Sequence, residues 1–210
     1  MKFQTFLTRP ETDRFLAFLA ASPFFFVLWH LLTSPELFTS LPVLVYVIDC
    51  VLFLVTMLAR RAPTRVTANP LYWLLTLLAS YWGMLSYLVV TTGHPVVSTW
   101  LSNGLAVLGA TMYVWARWSL GRNIGLVPSE RQIVVSGPYR YVRHPIYLGV
   151  FVTLAAAILQ NYSLTNLIYF GLGAFWFLLK SFAEEDFLRH NSAYAAYMRQ
   201  VRSRWIPFLV

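Results

Sequence analysis

The segment Gly137-Pro-Tyr-Arg-Tyr-Val-Arg-His-Pro-Ile-Tyr-Leu-Gly149 gathers Arg140, Arg143, His144, Tyr139, Tyr141 and Tyr147 at the start of an apolar run, in a chain whose charged content is only 11%. Three of its eight acidic residues then fall together as Glu184-Glu185-Asp186, immediately after a second apolar run. These residue types have complementary chemistry. An arginine fork takes a carboxylate through two hydrogen bonds. Tyrosine faces attract a cation, each by about 0.5 to 2 kcal/mol where water is excluded. A histidine ring titrates near neutrality and either donates a hydrogen bond or accepts a proton. The single cysteine, Cys50, lies within an apolar run, so neither an intramolecular disulfide nor a thiolate metal site is expected.

The elements that must bring these clusters together are membrane helices. The chain is 58% hydrophobic, its charged share is far below the roughly 25% of a soluble domain, and several apolar runs approach the about 20 residues that cross a bilayer. The expected fold class is all-α, a polytopic transmembrane bundle with six spans at about 15–33, 41–59, 71–91, 97–116, 145–160 and 163–180. The two polar clusters bracket the last pair. The fifth run is short for a roughly 30 Å core, which leaves a shallow hairpin around Asn161-Tyr162-Ser163 as an alternative to two full crossings. All sixteen Lys and Arg lie before the first span or after the second, fourth and sixth. The connections after the first, third and fifth carry only Glu36 and His94. The positive-inside rule then predicts a multi-pass protein, expected in a bacterial inner membrane, with both termini cytoplasmic. The net charge of +8 reflects that partition rather than a nucleic-acid partner. The polar N-terminus has no small-residue cleavage site beyond its apolar run, so a removed signal peptide is not expected.

Residues 1–118 read as N-terminal transmembrane helices and 119–210 as a catalytic region. In the connection 119–143, Gly121, Gly125, Pro128, Gly137 and Pro138 argue against one continuous helix, and the alternation in Arg131-Gln-Ile-Val-Val135 predicts a short extended piece. Irregular backbone at membrane depth must be covered by protein or line a wet cavity, so this loop is expected to fold over a pocket. The tail, 184–204, spaces Phe187, Leu188, Tyr194, Tyr197, Met198 and Val201 mostly by three and four, the pattern of an interfacial helix ended by Pro207.

Other polar residues carry two readings each. Arg140 and Arg143 also suit positive-inside anchors, and Tyr139, Tyr141 and Tyr147 an interfacial aromatic belt. Asp49 sits mid-span, where a charge costs about 2.5 to 3.5 kcal/mol on insertion scales, so it is either functional or a neutral hydrogen-bonding group between helices. His30 and His94 lie near the outer ends of spans and are too scattered for a metal site; no metal is expected. Gly171-Leu-Gly173, without a third glycine, reads as helix packing rather than a dinucleotide fingerprint.

Taken together, Gly121-Arg122, Pro128-Ser-Glu-Arg131, the Gly137 to Gly149 string and Glu184-Glu185 with the following Tyr194 and Tyr197 resemble the isoprenylcysteine carboxyl methyltransferase and phospholipid methyltransferase group of membrane enzymes. The resemblance implies that the loop, the helix opened by Arg143-His144-Pro145 and the acidic pair enclose S-adenosylmethionine, while a lipophilic small-molecule or lipid-linked acceptor arrives from the membrane lipids. It assigns cofactor binding to Gln132, Val134, Gly137, Tyr139, Arg143, His144, Pro145, Tyr147, Leu148, Glu184, Glu185 and Tyr197, and catalysis to Arg143, His144 and Glu184. Methyl transfer is an in-line displacement, so positioning suffices and no covalent nucleophile is needed. Where many members carry Phe-Gly before the paired tyrosines, this chain has Asn191-Ser192-Ala193, which leaves the acceptor class open, including whether oxygen, nitrogen or sulfur is methylated. Two other readings are an NADPH-dependent membrane reductase similar to the sterol reductases and a non-catalytic membrane bundle. The latter would show inverted repeats, which this sequence lacks.

Overall fold

A computed structural model describes residues 2–35, 38 and 41–207, so Glu36 lies outside the described residues. A short helix α1 (Lys2–Leu7) precedes α2 (Pro10–Leu32), in which Pro10 at the first position and Glu11 and Asp13 in the first turn suit the helix N-terminus. Then come α3 (Leu41–Leu58), α4 (Pro70–Tyr81), α5 (Ser86–Val89) and α6 (Thr99–Leu120). The C-terminal part adds α7 (Pro145–Gln160), α8 (Leu164–Leu188) and α9 (Ser192–Gln200). A two-residue antiparallel ribbon joins β1 (Arg65–Val66) to β2 (Ser129–Glu130). The protein is therefore mainly helical, as expected.

Among the described residues, α2 and α8 are long and apolar enough to cross a membrane, while Tyr46–Leu58 and Pro145–Gln160 are apolar but shorter. Large apolar side chains face outward along these helices, among them Phe18, Phe26 and Trp29 on α2, Val55 on α3, Trp118 on α6 and Ile168 on α8. So wide an apolar surface is a lipid-facing one.

Three expectations are corrected. The third apolar run is not one helix: α4 stops at Tyr81 and a 3-10 turn, Trp82–Leu85, leads into α5. There the Trp82 indole donates to the Tyr169 carbonyl at 2.9 Å and stacks on the Tyr169 ring, contacts that hold the break. The final apolar run continues as helix through the acidic triplet to Leu188, so the tail helix starts only at Ser192, where Asn191 accepts from the Ala193 and Tyr194 amides, and ends at Gln200, before Pro207. The extended pairing in the loop falls at Ser129–Glu130, ahead of the alternating stretch, because its partner strand is anchored at Arg65–Val66.

The bundle has two distinct ends. At one, the start of α2, the ends of α3 and α6, the start of α7 and the end of α8 meet the loop and tail. At the other, His94 and Tyr162 exchange backbone hydrogen bonds at 3.0 and 2.9 Å and the Asn166 side chain accepts from the Thr91 amide. The basic end is fastened by Asp13, 4% exposed, whose carboxylate accepts from Arg60 at 2.7 and 3.1 Å and from Arg131 at 3.1 Å. Burial, with Arg60 alongside, lowers the Arg131 pKa to about 10, which still leaves it charged at neutral pH. Between α2 and α3 the core consists of Ala17, Ala21, Cys50, Phe53, Leu54 and Met57. Helices α6 and α7 approach through glycines: a Cβ on Gly149 would sit 2.6 Å from the Gly109 carbonyl oxygen. Gly173 likewise leaves room for Trp82, in keeping with a packing role.

Candidate functional site

The first cluster is built by a turn that only glycine opens easily. Gly137 has φ of +60° and a Cβ there would run into Ser119, so the chain can reverse closely against the end of α6. Pro138 follows in the 3-10 turn Gly137–Arg140, whose end is closed by Tyr141 and Val142 amides donating to the Pro138 carbonyl. Arg143 and His144 come next, and Pro145 starts α7 at a position where the missing N–H is harmless.

The tail then runs back across these residues. The Arg143 amide donates to the Ser203 carbonyl at 3.0 Å and the His144 amide to that of Arg204 at 2.9 Å. From α9, the Tyr197 hydroxyl donates to the Tyr139 carbonyl at 2.8 Å. Burial raises the Tyr139, Tyr194 and Tyr197 phenols above their ordinary value, so they stay protonated across the physiological range.

Consecutive residues on a helix point about 100° apart, and the acidic pair divides its contacts accordingly. Glu185, 3% exposed, is ringed by donors: Arg143 at 2.8 and 3.3 Å, Arg204 at 3.0 and 2.7 Å, and His144 Nε2 at 3.0 Å. Buried charge of this kind is tolerable because it is paired and hydrogen-bonded. Glu184 accepts from the Tyr147 hydroxyl at 2.7 Å, with Lys180 Nζ at 3.9 Å from the same oxygen and His144 Nδ1 at 3.7 Å from the other. The His144 ring stacks on Tyr147, centroids 5.2 Å apart. Asp186 turns away and accepts from Tyr72 on α4 at 2.5 Å.

The structure thus brings together Arg143, His144, Tyr147, Glu184 and Glu185, with Tyr139 and Tyr197 behind them. It does not leave the Arg143 fork open for a ligand carboxylate. The two nitrogens that grip Glu185 are used there, and Nη1 donates to the Val201 and Arg202 carbonyls at 2.8 and 2.5 Å. Gln132 is exposed and accepts from Arg61, and Val134 lies in the same irregular stretch. Arg140 is exposed and lines a shallow recess of about 370 Å3 with Tyr141, Gln200, Val201, Arg202 and Ser203. Two residues of the network went unpredicted. Lys180 is legible in hindsight from its spacing of four before Glu184, but no local pattern marks Arg204. Residues 97–195 match the phospholipid methyltransferase family, a span from just before α6 into α9 that contains the whole cluster except Tyr197 and Arg204. No curated protein matches the chain.

Proposed function

We propose that this chain, which belongs through residues 97–195 to the phospholipid methyltransferase family, transfers a methyl group from S-adenosylmethionine to a lipophilic or lipid-linked acceptor where α7 begins and α8 ends. The observation that carries this reading is the convergence of Arg143, His144 and Tyr147 on Glu184 and Glu185 at the mouth of the hairpin. Bound there, S-adenosylmethionine supplies an electrophilic methyl on a cationic sulfur. The donor set fits that ligand: neutral tyrosine faces suit a sulfonium, and Glu184 has an oxygen beyond hydrogen-bond reach of His144 that suits an amino or ribose donor.

Each residue then has a distinct task. Tyr139 and Tyr147 line the site and exclude water, with His144 stacked on one face of Tyr147 and Lys180 Nζ 5.6 Å over its ring. Glu184 orients the ligand and takes a proton from an acceptor that carries one. Glu185 holds Arg143 and His144 in place, so the pair acts on ligand geometry through a fixed frame. Arg140, at the recess, is the cation placed to meet a carboxylate. The polar ligand approaches from the basic end, taken as cytoplasmic in a six-span arrangement with both termini on that side, while the acceptor arrives laterally from the bilayer. Isothermal titration of the full-length protein in nonionic detergent with S-adenosylmethionine and with NADPH tests the assignment. Binding of S-adenosylmethionine, weakened at least tenfold (about 1.4 kcal/mol) by Tyr147→Ala, is expected; binding of NADPH alone would replace the methyltransferase by a reductase.

A further inference from the structure

One buried cation outside the cluster is poorly matched by the protein itself. Arg117, in the last turn of α6 and 3% exposed, lies with its guanidinium 4.5 Å over the Tyr113 ring and 4.9 Å over that of Phe53. These contacts use the flat faces of the group and leave the in-plane donors of Nε and Nη1 unspent. The nearest carboxylate, Asp49 on α3, stands with Oδ1 3.9 Å from Nε, too far for a hydrogen bond. Arg117 Nε and Nη1 and Asp49 Oδ1 are all buried without a hydrogen-bond partner. A purely structural pair lies nearby: Arg60, just past the end of α3, closes on Asp13 with two nitrogens at 2.7 and 3.1 Å and adds a bond to the Asp13 carbonyl at 3.0 Å. A buried charge left with unmade hydrogen bonds is costly, so the open edge of Arg117 offers two donors to an oxyanion.

Its position says which side the oxyanion comes from. The Asp49 side chain is 29% exposed against 4% for Arg117, and one turn before it on the same face of α3 lies the exposed ring of Tyr46. Inward, Arg117 is within electrostatic reach of Tyr139, Tyr147 and Lys180, which belong to the cluster at α7 and α8. Arg117 therefore stands between the lipid-facing surface of α3 and the candidate active site. We infer that Arg117 is a subsite for the anionic head, carboxylate or phosphate, of the lipophilic acceptor, with Asp49 as the counter-ion that the head displaces on arrival. The inference rests on the methyltransferase reading and narrows its acceptor to an anionic amphiphile.

The test is isothermal titration of the full-length protein, in nonionic detergent, with oleate, with dioleoyl phosphatidic acid and with uncharged dioleoylglycerol, each beside a titration with S-adenosylmethionine. At least one anionic amphiphile should bind at least tenfold more tightly than dioleoylglycerol; which of the two does so separates a carboxylate head from a phosphate head. Arg117→Gln should remove that preference while leaving affinity for S-adenosylmethionine within twofold. Because Arg117→Gln opens a buried site and can fail to fold, Asp49→Asn provides the second arm: with the competing carboxylate gone, the same amphiphile should bind at least threefold more tightly. No preference for an anionic head in the wild type, or Asp49→Asn binding no tighter, overturns the subsite. If S-adenosylmethionine itself fails to bind the wild type, the reaction class falls instead.

Discussion

Glu184 and Glu185 are adjacent in sequence yet do different work, and substitution separates them. Glu185 neutralises Arg143 and Arg204 in a buried setting, so Glu185→Ala strands two guanidinium groups and should lower stability by about 3 to 5 kcal/mol, seen as a large fall in melting temperature in detergent. Glu184 has one hydrogen-bonded partner, Tyr147, and an 18% exposed side chain. Glu184→Gln should leave the melting temperature within a few degrees and weaken S-adenosylmethionine by at least tenfold; the reverse pattern would exchange their roles. The buried phenols give a pH signature. Below about pH 10, the ordinary tyrosine value, Tyr139, Tyr194 and Tyr197 are protonated in both folded and unfolded chains and their burial has no pH cost. Above it the unfolded chain ionises while the folded one, with raised values, does not. Stability should therefore decline as pH rises past that point, and Tyr194→Phe should flatten the decline in a melting-temperature profile. At this scale the sequence exposed the Arg143-His144 and Glu184-Glu185 partners because they are rare charges in an apolar chain. Arg204 was hidden because its partner lies nineteen positions earlier in the chain, with no periodic relation to it.

Helices α6 and α7 are held at their closest point by Gly109 and Gly149, and the fit can be read from one methyl group. Gly149→Ala would press a Cβ against the Gly109 carbonyl and the Tyr113 amide, 2.6 and 2.8 Å away, and overpacking of this kind costs about 1 to 3 kcal/mol. Gly104→Ala, on the same α6 with open space at its Cβ, should hold or raise stability, because alanine is the better helix former by up to about 1 kcal/mol. Equal melting temperatures for the two variants would show that the helices do not meet there. The limits of α7 were legible at both ends, since Pro145 can open a helix and polar Asn161 follows the apolar run. The end of α8 was not, because a helix is held by backbone hydrogen bonds that continue unchanged when the side chains turn from apolar to acidic. Nor did hydropathy betray the break at Trp82, where an apolar residue interrupts the helix by bonding to Tyr169.

Across the whole molecule the partition of charge decides orientation. Basic residues gather at the end of the bundle where Asp13, Glu130 and Glu185 also sit, while the opposite end presents Thr91, His94, Asn161 and Tyr162. With Cys50 replaced by serine, single cysteines at Ser136 and Thr92, both exposed, should react with a membrane-impermeant thiol reagent from opposite faces of sealed vesicles, Ser136 from the cytoplasmic one. Reaction from one face only would require an even number of crossings between them. The mainly helical, membrane-associated character was legible from composition and the lengths of the apolar runs. The fastening of the loop to the N-terminal helices through Asp13, Arg60 and Arg131 was not, because three separate segments supply one residue each.

The backbone pairing of Arg143 and His144 with residues 203 and 204 also sets an order in time. During translation α7 leaves the ribosome about sixty residues before the segment that will cover its start, and through that interval the guanidinium of Arg143 lacks the Val201 and Arg202 carbonyls that will hold it. A nascent chain can insert most of its helices and still have no competent site. On the methyltransferase reading the site is complete only once synthesis has passed Arg204, so a chain interrupted within α9 should insert and yet show no methyl transfer.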